Sequence, residues 1–149
     1  MRKIFILISV GFFIVLSVPK GHFNSFILNS VADTTDINPN GSSELSALMR
    51  EMYDHALAAR KNIIENKKPG AFPEKFKNIY SAVPTDENTK NKYYDYFADL
   101  YLMSLDRLAK SRSSEASENF KNLVSACIAC HTTHCPGPMP MIKKLALEK

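Results

Sequence analysis

Apolar side chains recur every three or four residues along most of the chain after residue 43, the spacing that places them on one face of a helix. The first run begins after Ser43, a suitable N-cap, and is predicted to end near Lys67, before the helix-breaking pair Pro69-Gly70. Its inward positions are Leu45, Leu48, Met49, Met52, Ala56, Ala59 and Ile63. The pattern therefore predicts a long first helix with one apolar stripe.

Two further helices are predicted by the same spacing. A short helix over 72–82 turns Phe76 and Tyr80 inward, and a third helix over 86–110 follows Thr85 as its N-cap. The inward positions of the third helix are Tyr93 or Tyr94, Phe97, Leu100, Tyr101, Ser104 and Leu108.

A fourth helix follows a loop at 111–114 and ends before Pro136-Gly137-Pro138. Its apolar stripe contains Phe120, Leu123, Val124, Cys127, Cys130 and His131. Strand-like alternation is not evident anywhere in the sequence. Four amphipathic helices joined by short loops predict an all-α fold, an antiparallel four-helix bundle.

The N-terminal segment has a different pattern. Met1-Arg2-Lys3 is basic, and the uncharged apolar run over 4–18 that follows is typical of an export signal. As a helix this run would span ~22 Å, less than the ~30 Å hydrocarbon core of a bilayer. We therefore predict an export signal or N-terminal anchor over 1–32, a flexible linker over 33–42 and a bundle domain over 43–149, in the periplasm or another exported compartment.

The formal net charge of +4 comes mostly from the N-terminal segment. Arg2, Lys3 and Lys20 lie in the first 32 residues, which hold no acid, so the remainder has 16 basic against 15 acidic residues. A nucleic-acid-binding domain would need a basic stripe, which this near-neutral domain lacks. No nucleic-acid partner is therefore expected.

The most specific motif lies near the end of the fourth helix. Cys127-Ile128-Ala129-Cys130-His131 reads as C-x-x-C-H, the signature of covalent haem c attachment. Residues at i, i+3 and i+4 share a helix face, so two thiols can reach the vinyl groups of one porphyrin while the imidazole binds its iron. We therefore predict one covalent haem c, attached through Cys127 and Cys130, with His131 as the proximal iron ligand.

A redox disulfide and a zinc site are the alternatives for this motif. Zinc would need a second pair of ligands, and only His134 and Cys135 lie near in sequence. A thioredoxin-like pair would follow a strand and open a helix, whereas this pair closes one.

The opposite iron ligand must come from upstream, because the 18 residues after His131 are too few to encircle a haem. Met52 is the first candidate because it lies deep in the first helix, and Met49 is the alternative; thioether sulfur suits haem iron. Either methionine could instead be core packing, which would leave an open site. His55 is expected to face solvent beside Asp54.

Several other residues are assigned simpler roles. Cys135 could be a free buried thiol, a disulfide partner of another chain or a group that supports the iron ligand. His134 is expected to be exposed at the helix end, and Met139 and Met141 to pack. The tyrosines of the third helix are expected to form a bundle face; a tyrosine hydroxyl near a haem propionate is the alternative, which no further feature of the sequence supports. The arginines that could pair with propionates are Arg50, Arg60 and Arg107.

The motif at the end of the last helix, the four helical segments over 43–134 and the export leader together resemble the class II c-type cytochromes. That four-helix family includes the cytochromes c′ and their six-coordinate relatives. The resemblance implies that the first helix supplies the residue over the distal haem face, either a methionine on the iron or an apolar residue that leaves the iron open. It also implies a homodimer formed through helix faces.

Function is expected to follow from this ligation. With a methionine on the iron, the protein would carry single electrons between redox partner proteins. With an open distal site, it would bind or sense nitric oxide or carbon monoxide. Enzymatic activity is not expected, because no distal His/Arg pair of the peroxidase kind is evident. Membrane association would arise only from an uncleaved N-terminal segment.

Overall fold

The computed structural model describes residues 42–147, which fall within a compact unit bounded by Asp36–Lys149. The export signal or anchor predicted over 1–32, and the linker as far as residue 41, lie outside the described residues. Residues 42–147 contain no strand, which confirms the all-α prediction for this part of the chain. The α-helices are α1 (Glu44–Ile64), α2 (Tyr94–Ala109), α3 (Ser113–His134) and α4 (Met139–Lys143), and 3₁₀ helices cover Glu74–Ile79 and Glu87–Thr89.

Helix α1 begins where its N-cap was predicted. The Ser43 hydroxyl accepts a hydrogen bond from the Ser46 backbone N–H at 3.2 Å, which satisfies one of the free donors of the first turn. The helix ends at Ile64, three residues before the predicted end. Asn66 adopts φ 56°, a left-handed conformation that stops the helix before Pro69 is reached.

The second predicted helix is a single 3₁₀ helix, Glu74–Ile79. Phe76 is buried as predicted, but Tyr80 is 41% exposed, so its predicted inward position is wrong. A 3₁₀ helix has three residues per turn, and Ile79 therefore shares the buried face with Phe76. The Tyr80 hydroxyl donates instead to Asp99 of α2.

The third predicted helix begins later than expected. Thr85 does not cap it; the Thr85 hydroxyl bonds to Ser43 at 2.9 Å. Asp86 caps the short 3₁₀ helix by accepting from the Asn88 N–H at 2.9 Å, and α2 then starts at Tyr94. Leu100 is 36% exposed, so its predicted inward position is wrong. The buried residues of α2 are Tyr94, Ala98, Tyr101, Ser104, Leu105 and Leu108.

Helices α2 and α3 form the most extensive pairing and run antiparallel. The loop between them is short, and Tyr94 at the start of α2 meets His134 at the end of α3, with ring centroids 5.9 Å apart. Helix α3 begins at Ser113 without a side-chain cap, inside the loop predicted over 111–114. It also packs against α1 and α4, so its apolar stripe is central to the core.

Helix α4 was not predicted. Pro136-Gly137-Pro138 redirects the chain as expected, but Met139–Lys143 then folds back and buries Ile142 against the core. The Arg60 Nε donates to the Ala146 carbonyl at 3.1 Å, which joins the tail to α1. The C-terminal tail therefore becomes part of the wall around the core. Within 42–147, none of the helices has the length and apolar character needed to cross a membrane.

Candidate functional site

An apolar cavity lies between α1, α2, α3 and the C-terminal tail. Its volume is about 510 Å³, including its open mouth. Helix α1 contributes Met49 and Met52 to the wall, and α3 contributes Cys127, Cys130 and His131. The structure therefore brings all five predicted site residues to one cavity.

Most of the remaining wall comes from residues that the sequence did not assign to a site. Phe97 and Tyr101 extend from α2, and Ile142 and Leu145 come from the tail. The lining is almost wholly apolar, as expected of a pocket that takes a hydrophobic ligand. The only sequence signal for the tail was the apolar spacing of Met139 and Ile142 after Pro138.

The two motif cysteines are half-buried, and none of the chain's three cysteines is in a disulfide. Burial, followed by the neighbouring Cys130 thiol, raises the pKa of Cys127 to about 12. Burial, followed by Cys135, raises the pKa of Cys130 to about 11. Both thiols are therefore protonated at neutral pH, whereas a redox-active pair of the thioredoxin kind needs a lowered pKa. This environment disfavours the disulfide alternative.

The ring of His131 is fixed by a backbone carbonyl. Its Nδ1 lies 2.8 Å from the carbonyl oxygen of Cys135. Because a carbonyl can only accept, Nδ1 carries a proton and donates, an arrangement that places the lone pair of an uncharged imidazole on Nε2. Histidines that ligate metals commonly have this arrangement, in which the second nitrogen donates to a carbonyl.

The position of that carbonyl follows from the end of α3. Cys135 precedes Pro136, and a residue before proline is disfavoured in the helical conformation. Cys135 adopts φ −156° and ψ 77° as the C-cap, so its carbonyl does not continue the helix. The Cys135 side chain is exposed, and the predicted option of a buried thiol is therefore wrong.

The two methionines of α1 differ in burial. Met52 is 5% exposed and belongs to the packed core, while Met49 is half-buried at its edge. The predicted solvent-facing position of His55 is wrong: its ring packs edge-on against Phe76 at 5.5 Å, and its Nε2 donates to the Ala71 carbonyl at 3.2 Å. His55 does not line the cavity.

Two further expectations are corrected beside the motif. His134 is half-buried rather than exposed, with its ring edge-on to Phe97 at 5.3 Å and its Nε2 3.0 Å from the side-chain oxygen of Asn91. Met141 is 48% exposed and so does not pack, while Met139 is half-buried. Neither methionine lines the cavity.

The arginines that could pair with propionates lie away from the cavity. Arg50 donates to the Ser42 hydroxyl, Arg60 holds the tail carbonyl and Arg107 is exposed. None of the three lines the cavity. A carboxylate bound inside the cavity would therefore not be in contact with any of these three guanidinium groups.

Comparisons with protein-family models, curated proteins and solved structures give no match to this chain. Among residues 42–147, no three His, Cys, Asp or Glu side chains converge to hold a bare metal ion. The donor set does fit a haem: two thiols, an imidazole with a free Nε2 and two thioether sulfurs around an apolar space. A porphyrin would also occupy the open mouth of the cavity and require some movement of its walls.

Proposed function

We propose that this chain is an exported mono-haem c-type cytochrome of the class II kind that carries single electrons between redox partner proteins. The observation that supports this most directly is the meeting of the C-x-x-C-H motif of α3 with the methionines of α1 at one apolar cavity. The free Nε2 of His131 adds to it, because the ring is already held in the tautomer that an iron ligand needs.

The proposed roles follow from the side chains. Cys127 and Cys130 would hold the haem covalently, each thiol adding its S–H across a vinyl group, so that sulfur would bond to one carbon and hydrogen to the other with no oxidant required. His131 would bind the iron through Nε2, and Met52 would supply the second ligand through its sulfur, with Met49 as the alternative. When bound, haem c supplies an iron that accepts and releases one electron, and a His/Met pair raises its reduction potential.

The protein's own contribution is to hold the ligands and exclude water. His131 and Met52 lie on different long helices of one packed core, so their positions are set by tertiary packing. The apolar wall lowers the local dielectric and limits solvent access, which tunes the potential. As part of the same proposal, the fold is a four-helix bundle in which the 3₁₀ helix Glu74–Ile79 takes the place of the second helix.

The test is the visible spectrum of protein matured in a host that exports it and attaches haem c. We expect a low-spin spectrum from a pigment that acid-acetone cannot extract. The matched control is the double variant Cys127→Ser/Cys130→Ser, which should lose the covalent pigment. Colourless wild-type protein, or pigment that extracts freely, would contradict the proposal.

The second candidate function is binding of nitric oxide or carbon monoxide at an iron with an open distal side. The observation that favours it is the burial of Met52 in the apolar core, where a methionine can serve packing alone. A high-spin spectrum that changes when carbon monoxide is added would support this function and exclude methionine ligation.

A further inference from the structure

The wall of the cavity is built from three long helices and two shorter segments. Helices α1, α2 and α3 supply most of the lining, while Ile79 comes from the 3₁₀ helix Glu74–Ile79, and Ile142 and Leu145 come from the tail over 139–147. A porphyrin requires some movement of this wall, so one part of it must shift when haem is present. The two shorter segments are the candidates, because the long helices form the common packed core.

The 3₁₀ helix is joined to both long helices beside it. The buried Tyr94 hydroxyl of α2 donates to the Ile79 carbonyl at 3.0 Å. On the other side, Lys75 forms an ion pair at 2.7 Å with Glu51 of α1. Movement of this segment would break both contacts and leave a buried hydroxyl without its acceptor, which is costly.

The tail has fewer polar contacts with its surroundings. Its side chains Ile142 and Leu145 are buried in the core. Within residues 42–147, the bond from Arg60 Nε to the Ala146 carbonyl, 3.1 Å long, is the single hydrogen bond that joins the tail to another long helix. Opening of the tail would therefore break one hydrogen bond and uncover two apolar side chains, which a bound porphyrin can cover again.

A hinge lies where the tail leaves α3. Gly137 stands between Pro136 and Pro138, whose rings fix their own φ angles, so rotation of the chain is concentrated at the glycine. A Cβ placed on Gly137 would meet no atom within 4 Å, so the surroundings of the hinge are open. The Met139 N–H donates to the Pro136 carbonyl at 3.1 Å, and this turn is the contact that rotation would open.

The position of the hinge preserves the orientation of His131. The ring of His131 donates to the Cys135 carbonyl at 2.8 Å. Cys135 precedes both Pro136 and the hinge, so rotation at Gly137 leaves this hydrogen bond in place. The tail can therefore move without disturbing the proximal ligand.

We propose that the tail over 139–147 is the movable wall of the haem cavity, an inference that rests on the proposed function. It turns outward about Gly137, releases the Ala146 carbonyl from Arg60, and packs Ile142 and Leu145 against the haem. The hydrogen bond between Arg60 and Ala146 then belongs to the chain before haem attachment and is broken in the loaded protein. The 3₁₀ helix keeps its contacts in both forms.

The experiment compares Arg60→Met with Tyr94→Phe by thermal unfolding, each as the unloaded chain and as the haem-loaded protein. Each variant removes the donor of one hydrogen bond, to Ala146 of the tail or to Ile79 of the 3₁₀ helix. In the unloaded chain we expect each to lower the melting temperature by about 2–8 °C, the range that one hydrogen bond produces in a domain of this size. In the loaded protein Arg60→Met should melt at the wild-type temperature, whereas Tyr94→Phe should keep its loss.

Amide hydrogen exchange of the wild-type unloaded chain is a second measurement, which needs no variant. Ile142 of the tail and Ala82, which follows the 3₁₀ helix, are both buried and both have a hydrogen-bonded N–H. We expect the Ile142 amide to exchange faster than the Ala82 amide, because the tail opens locally while the 3₁₀ segment stays closed.

Several outcomes would overturn the inference while leaving the cytochrome proposal intact. An equal loss for Arg60→Met in both forms would show that the tail stays closed over the haem, and no loss in the unloaded chain would show that Arg60 does not hold it. Disappearance of the Tyr94→Phe loss on loading, or slower exchange of Ile142 than of Ala82, would assign the movement to the 3₁₀ segment. Failure of the proposed function is distinguishable, because the wild-type protein would then carry no covalent pigment.

Discussion

At the residue scale, the clearest new feature is a hydrogen bond from the His131 ring to a backbone carbonyl, which fixes the orientation of the ring. The Cys135 carbonyl oxygen accepts a hydrogen bond from the Nδ1–H of His131, with the nitrogen and oxygen 2.8 Å apart, and this leaves Nε2 available without any help from a carboxylate. The sequence predicted His131 as an iron ligand and offered several roles for the Cys135 thiol. It did not predict a hydrogen bond between the His131 ring and the Cys135 backbone carbonyl. Only the geometry at the end of α3 reveals that connection, although Pro136 was a signal for it.

The choice between the two methionines is also a question about single residues. We expect Met52→Ala to convert low-spin to high-spin iron, because it removes the buried sulfur that we place on the distal side. Met49→Ala is the matched control from the same helix and wall, and it should keep the low-spin spectrum. Absorption spectra of the two loaded variants check this. The reverse pattern would assign the iron to Met49, and high-spin wild-type protein would exclude both.

At the scale of elements, the sequence predicted a helix best where a long run of regularly spaced apolar residues followed a clear N-cap residue. Helix α1 follows Ser43, and α3 carries its motif on the predicted stripe. The short elements were harder to predict, because a few residues give too little periodicity to distinguish an α-helix from a 3₁₀ helix. Tyr80 was misplaced for this reason. Thr85 was misplaced because Asp86 beside it is an equally good cap.

Helix α4 gives a prediction at this scale. Ile142 is buried and forms part of the cavity wall, so Ile142→Ala should leave a cavity and cost ~2 kcal/mol or more of stability. Met141→Ala changes the exposed neighbour and should stay within about 0.5 kcal/mol of wild type. Urea unfolding of both variants measures the difference. Equal stability of the two would mean that the tail does not support the core.

At the scale of the whole molecule, the buried thiols link stability to pH in the chain before haem attachment. The folded pKa values of Cys127 and Cys130, about 12 and about 11, lie above the usual 9.0. The unfolded chain therefore binds fewer protons than the folded chain above pH ~9, and stability falls as pH rises. The contribution is fully present below pH ~9 and is lost progressively toward pH 11 to 12.

The measurement is the urea midpoint over an alkaline pH series, for the unloaded chain and for the double variant Cys127→Ser/Cys130→Ser. We expect the unloaded wild type to lose stability more steeply above pH ~9, because the variant has no thiols there to ionise. Both proteins contain the same tyrosines, which ionise in the unfolded chain of each, so the difference between the two curves reports the cysteines. Parallel curves would show that the thiols are not protected by burial.

What the sequence determined by itself was local. The all-α character, the presence of α1 and α3, and the shared face of Cys127, Cys130 and His131 all follow from helix geometry over a few residues. What only the tertiary structure decided was long-range. It brought Met49 and Met52 to the same cavity as the motif and folded Ile142 back into the wall. Periodicity fixes which face of a helix is apolar, but the neighbour across that face depends on how the helices pack.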